Sequence, residues 1–117
     1  MTKAAIVILA STESHENLGY LVNGLEAAKE FQDHDDELKV IFDGAGTQWI
    51  PELSEGDHDA SPLYEALSEH VYVCDHCAGA FGVTEAVENS SADALAEYDG
   101  HPSVRQLVAD GYEVITF

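Results

Sequence analysis

Residues 71–83 read VYVCDHCAGAFGV and carry both cysteines of the chain, Cys74 and Cys77. The β-branched, apolar start, His70 to Val73, reads as a strand. Asp75 to Phe81, rich in alanine, reads as a short helix, and Gly82 as its stop. A strand running directly into a helix, with no polar linker between them, is the repeating joint of an α/β fold. Three readings of the two cysteines stand at this point: a reactive thiol, half of a metal clip, or a pair of small buried residues.

The same alternation continues on both sides. AAIVILA, residues 4–10, is a continuous apolar run of the kind a strand covered on both faces requires. Leu18, Leu21, Val22, Leu25, Ala28 and Phe31 then recur at helical spacing and predict a helix over residues 15–32, with Gly19 and Gly24 inside it as places of close packing. Leu38 to Phe42 predicts a second strand, and DGAGTQW, residues 43–49, a turn into a short helical stretch near Trp49. Ser61 is expected to cap a third helix, with Pro62 in its first turn and Leu63, Ala66 and Leu67 facing inward.

Residues 84–99 fit two descriptions. TEAVEN suits a helical turn, and ADALAEY suits either a poor helix or a poor edge strand. Ser103 caps a last helix with Val104, Leu107 and Val108 expected inward, Gly111 ends it, and YEVITF closes the sheet. The expectation is a single three-layer α/β/α domain over residues 1–117 with a largely parallel sheet of about five strands. Its buried strand positions are Ile6–Leu9, Val40–Phe42, Val71–Val73 and Val114–Ile115. Sites in such sheets form beyond the C-terminal ends of the strands, which gathers Ser11–His15, Asp43–Thr47 and Cys74 along one edge.

Composition narrows the function. Asp and Glu number 23 against 4 Lys and Arg, a formal net charge of −19. Nucleic acid and anionic membranes are excluded as partners, because binding them requires cations presented to phosphates. The acids are dispersed, so they form a solvated shell that repels itself in dilute buffer. At ~1 M salt, where the Debye length is ~3 Å, that repulsion is screened. The composition therefore points to a high-salt cytoplasm, that of a halophile. No run approaches the ~20 apolar residues needed to span a bilayer. AAIVILA also begins too near Met1 to serve as a signal peptide, so a cytoplasmic location is expected.

Cys74 stands at the end of a strand and at or near the first position of a helix, where free backbone N–H groups favour a thiolate. Asp75 and the overall charge oppose it. Cys77 lies one turn further in and should be the poorer nucleophile. Zinc is the second reading, with His15, His58, His76 or His101 completing a set begun by the two thiols, although the chain has no second C-x-x-C and no H-x-x-x-H. His76 is also placed to serve as a local base. Dinucleotide binding fails its test: the third glycine of G-x-G-x-x-G would fall at Trp49. Gly44 and Gly46 read instead as points where backbone approaches a neighbouring loop or a small ligand. No cofactor and no resident metal is expected.

With its elements in this order, the chain resembles the DsrE-like family of small α/β proteins associated with sulfur relay. The resemblance rests on AAIVILA followed by a long helix, on VIFDGAG, and on VYVCDHCAGAFGV, in which Cys74 and Gly82 stand eight residues apart. LVADGYEVITF is similar to the family's C-terminal end. The resemblance implies a sulfur carrier that holds a persulfide on Cys74 and passes it on, a sulfurtransferase-type relay with donor and acceptor proteins as partners. It also implies a homo-oligomer, trimer or hexamer. Cys77 is outside the family pattern, and it brings in the alternative of a non-enzymatic oligomeric module whose C-x-x-C pair senses redox state or metal.

Overall fold

The computed structural model describes residues 2–117. Strand β1 (Lys3–Ile8) is followed by helix α1 (His15–Asp33) and strand β2 (Glu37–Phe42). A 3-10 turn over Gly44–Gln48 leads into α2 (Trp49–Ser54) and then α3 (Ser61–Ala66). Strand β3 (Val71–Cys74) runs straight into α4 (Asp75–Ala80). The chain ends with α5 (Thr84–Glu88), β4 (Asp93–Leu95), α6 (Val104–Ala109) and β5 (Glu113–Thr116). All five strands are parallel, in the order β4-β3-β2-β1-β5.

That order decides where the helices go. From β1 through β4 the chain steps one strand at a time in one direction, and right-handed crossovers then place α1 to α5 on a single face. The step from β4 to β5 leaps back across the whole sheet, so α6 lies on the opposite face. The two apolar clusters follow this division. Ala4, Ile6, Ile8, Leu38, Val40, Phe42, Val71 and Val73 meet Leu21, Leu25, Ile50, Leu53 and Tyr64 on the five-helix face. On the other face a smaller cluster buries Ala5, Val7, Ile41 and Leu107, flanked by Tyr72, Leu95, Tyr112 and Val114. Each fully buried leucine such as Leu21 or Leu25 contributes about 2 kcal/mol.

Local signals explain the boundaries. The Ser14 side chain accepts the Asn17 N–H and starts α1, and Ser103 does the same for α6 with Gln106. Gly82 and Gly111 take positive φ, 73° and 90°, just past α4 and α6, as helix stops do. Gly24 packs under the Ile8 side chain and Phe117, whereas Gly19 faces open space and permits no packing.

Several expectations need correction. Ser61 is the first residue of α3 rather than its cap: its hydroxyl reaches back to the Leu53 carbonyl at 2.9 Å. In α3 it is Tyr64, not Ala66, that is buried. Leu9 lies beyond β1 and is exposed. Val114–Ile115 belong to a strand at the sheet edge, and Ile115 is exposed, since an edge strand has a neighbouring strand on one side only. In α6 only Leu107 turns inward, while Val104 and Val108 face out, because one buried residue per turn suffices for a helix lying on so narrow a surface. Of the two descriptions of residues 84–99, TEAVE is helical and Asp93–Leu95 is the edge strand.

Candidate functional site

Three connections at the C-terminal ends of the strands build one cluster. After β2, the Asp43 N–H donates to the Ile8 carbonyl at 3.0 Å, and the Asp43 side chain accepts the Gly44 N–H at 2.8 Å. Gly44 sits at φ 54°, and Gly46 presses its backbone so close to the Ile8 carbonyl that a methyl group there would collide with it. The approach read from the two glycines is thus to a neighbouring strand end. It fixes Asp43 at the mouth of the sheet.

After β3, Cys74 caps α4 with its sulfur, which accepts the Cys77 N–H at 3.4 Å. The third contribution comes from the long connection after β4. Tyr98 and His101 exchange backbone hydrogen bonds of 2.9 and 2.8 Å around Asp99 and Gly100, whose φ values are 51° and 86°. Two positive φ values in an Asp-Gly pair define a type I′ hairpin turn. The Gly100 carbonyl accepts the His76 N–H at 2.9 Å, which pins the turn onto the start of α4. The rings of His76 and His101 pack 4.6 Å apart. His101 Nδ1 is thereby held 3.3 Å from Cys74 Sγ.

Asp43, Cys74, Cys77 and His101 each offer one donor atom, and these atoms all lie within 4.8 Å of one another. Cys74 is fully buried, and the other three are partly open to solvent. Both cysteines are free thiols. Burial first, and then the neighbouring Cys77 thiol and Asp43 carboxylate, push the Cys74 thiol up to about 12, outweighing the one backbone N–H, that of Cys77, that lowers it. The thiolate expected from the strand-helix junction therefore does not form unaided: α4 is six residues long, and desolvation wins. For Cys74 to ionise near neutral pH its proton needs an acceptor, and His101 Nδ1 is at the right distance.

The sequence placed Cys74 and Cys77 together and counted His101 among four possible ligands. It brought the Asp43–Thr47 loop to the same sheet edge as Cys74 but did not single out Asp43 as its partner, for want of any linear motif joining them. The signal for His101 was present: Asp99-Gly100 between Tyr98 and His101 marks a tight hairpin. His15 and His58 lie apart, lining a hollow with Thr12, Trp49 and Glu52. His76 supports the His101 ring and hydrogen-bonds the turn through its backbone.

The profile of the DsrE/DsrF-like family matches residues 4–117. The chain is 27% identical to the uncharacterized protein MJ0733 of Methanocaldococcus jannaschii over 116 residues, 97% of this chain and 93% of that one. Its fold is similar to that of the ychN protein from E. coli, with a TM-score of 0.70 and 16% identity over the whole of both chains. It is also similar to a conserved protein of unknown function, BT1422, from Bacteroides thetaiotaomicron, with a TM-score of 0.61, 12% identity, and coverage of 97% and 94%. Among the described residues no helix is long and apolar enough to cross a membrane.

Proposed function

Because this chain belongs to the DsrE/DsrF-like family, a family associated with sulfur relay, we propose that it carries sulfane sulfur as a persulfide on Cys74. The observation that carries the reading is the 3.3 Å approach of His101 Nδ1 to Cys74 Sγ, with Cys77 one helical turn away. A buried thiol beside a proton acceptor is an activated nucleophile held in reserve. Cys74 gives its proton to His101, and its sulfur attacks the outer sulfur of a donor persulfide. The donor's S–S bond breaks, the donor leaves as a thiolate, and a new S–S bond joins the transferred sulfur to Cys74.

Cys77 sets the lifetime of that product. Attack by its sulfur on Cys74 Sγ expels the outer sulfur as hydrosulfide and leaves a Cys74–Cys77 disulfide. The two thiols are oxidised and the sulfane sulfur is reduced, so the electrons balance. With Cys74 fully buried, loading requires a local opening over its sulfur, and it proceeds more slowly than reaction at an exposed thiol. The setting we infer is a salt-rich cytoplasm and a homo-oligomer, trimer or hexamer, supported by the exposed Val104 and Val108 of α6. Light scattering in molar salt should return a multiple of the chain mass, and a monomer mass overturns that part.

The test of sulfur loading is the intact mass after exposure to a low-molecular-weight persulfide. Wild type should gain one sulfur atom, Cys74→Ser none, and Cys77→Ser one that persists longer than in wild type. Uptake by Cys74→Ser equal to wild type would sink the assignment. The alternative, a redox-sensing module, predicts instead a disulfide after mild oxidation and no sulfur-loaded species in either cysteine variant.

A further inference from the structure

We propose that Asp43, Cys74, Cys77 and His101 form a binding site for a divalent cation of the zinc class, and that the cation and sulfur loading compete for Cys74. Zinc at the two thiols with one of four histidines is among the readings of the sequence; the structure selects His101 and adds Asp43, the members coming from the end of β2, the end of β3, the first turn of α4 and the turn at residues 98–101. Among the described residues these four are the one group of three or more such side chains whose donor atoms approach so closely. They offer one oxygen, one nitrogen and two sulfurs, the donor mixture and number of a tetrahedral zinc site.

The spacing agrees. With Zn–S near ~2.3 Å and Zn–N near ~2.0 Å, neighbouring ligand atoms of a tetrahedron lie roughly 3.3–3.8 Å apart. Cys74 Sγ and His101 Nδ1 are already 3.3 Å apart, and the remaining separations, none above 4.8 Å, close by about 1.5 Å or less through side-chain rotation. Two thiolates and a carboxylate leave the loaded site with a net charge near ~−1, a milder burial than the uncompensated anions would be. The supporting contacts are in place as well. The Gly44 N–H holds one Asp43 oxygen and leaves the other available, and the Cys77 N–H donates to the Cys74 sulfur. The hydrogen bond from the His76 N–H to the Gly100 carbonyl fixes the turn that presents His101.

The metal part of this inference does not depend on sulfur loading; the competition does rest on that reading. Once bound to a cation, the Cys74 lone pair is engaged and cannot attack a persulfide, so the metal-loaded protein is the inert form. The experiment uses tag-free, metal-stripped full chain titrated with Zn²⁺ against a chromophoric chelator, and with Co²⁺ as a spectroscopic probe. One equivalent should bind, unaffected by excess Mg²⁺, and cobalt should give a thiolate charge-transfer band and the intense visible bands of four-coordination. Cys77→Ser and His101→Ala should each weaken zinc binding on the order of 100-fold, and Asp43→Asn about tenfold or more, with His58→Ala unchanged. The cobalt spectrum of wild type reads the donor set even where a variant folds poorly. A weak six-coordinate spectrum displaced by Mg²⁺ means the acidic surface alone holds the ion, and it overturns the site while leaving sulfur uptake as measured. Zinc that binds through the thiols yet leaves persulfide uptake unchanged overturns the competition.

Discussion

Two glycines show how differently the same substitution acts at two positions of this fold. At Gly46 an added methyl meets the Ile8 carbonyl and main chain, which are fixed in the sheet and cannot yield. At Gly24 it meets chiefly the end of the Ile8 side chain and the Phe117 side chain, which can shift. Gly46→Ala should therefore cost about 3 kcal/mol, lowering the thermal midpoint by roughly 10 °C. Gly24→Ala should change stability by less than about 1 kcal/mol, because the gain in helix propensity offsets the crowding. Thermal melts of the two variants check this, and equal losses would show that the Asp43–Gly46 turn is softer than its contacts imply. At Gly46 the loss should extend to the site, since the same turn orients the Asp43 carboxylate next to Cys74.

Among the elements, α6 has the most exposed position, as the one helix on its face of the sheet, anchored by Leu107. Leu107→Ala should cost about 2–3 kcal/mol. Its signature should be local: in hydrogen exchange, the amides of α6 and β5 should speed up before those of β1, β2 and β3. A uniform increase across all strands would mean that α6 and the sheet open as one unit. Much at this scale was legible in the sequence, because apolar periodicity reports on burial. The long helix after AAIVILA, the strand-helix joint at Cys74 and the Ser103 cap all lie where that periodicity put them. What periodicity cannot report is strand order, and strand order sets coverage. Val104 and Val108 look inward-facing in a list of spacings, yet they point out because α6 crosses alone. The candidate site was half legible for a related reason. Cys74 and Cys77 are joined by local spacing, whereas Asp43 and His101 reach them only through the sheet.

Taken whole, the molecule carries 23 acidic and 4 basic residues, and its three lysines are already committed. Lys3 lies 3.5 Å from Glu37 and 4.7 Å from the Tyr112 ring centre, Lys39 sits over Tyr72 and Tyr112, and Lys29 pairs with Asp33 at 2.9 Å. These pairs are partly exposed and few, so they leave the surface strongly negative. The thermal midpoint should rise steadily from about 0.1 to 2 M potassium chloride as the repulsion is screened, and a midpoint that stays put would refute the charge argument. The strand order carries one more consequence, and it concerns synthesis. β1, five of whose six residues are buried, has one edge that stays unpaired until β5 exists, since Ala4 waits for Glu113 and Ile6 for Ile115. On the ribosome, every chain short of those residues displays an open sticky edge beside AAIVILA. Chains truncated before Glu113 should therefore aggregate more readily than the full chain.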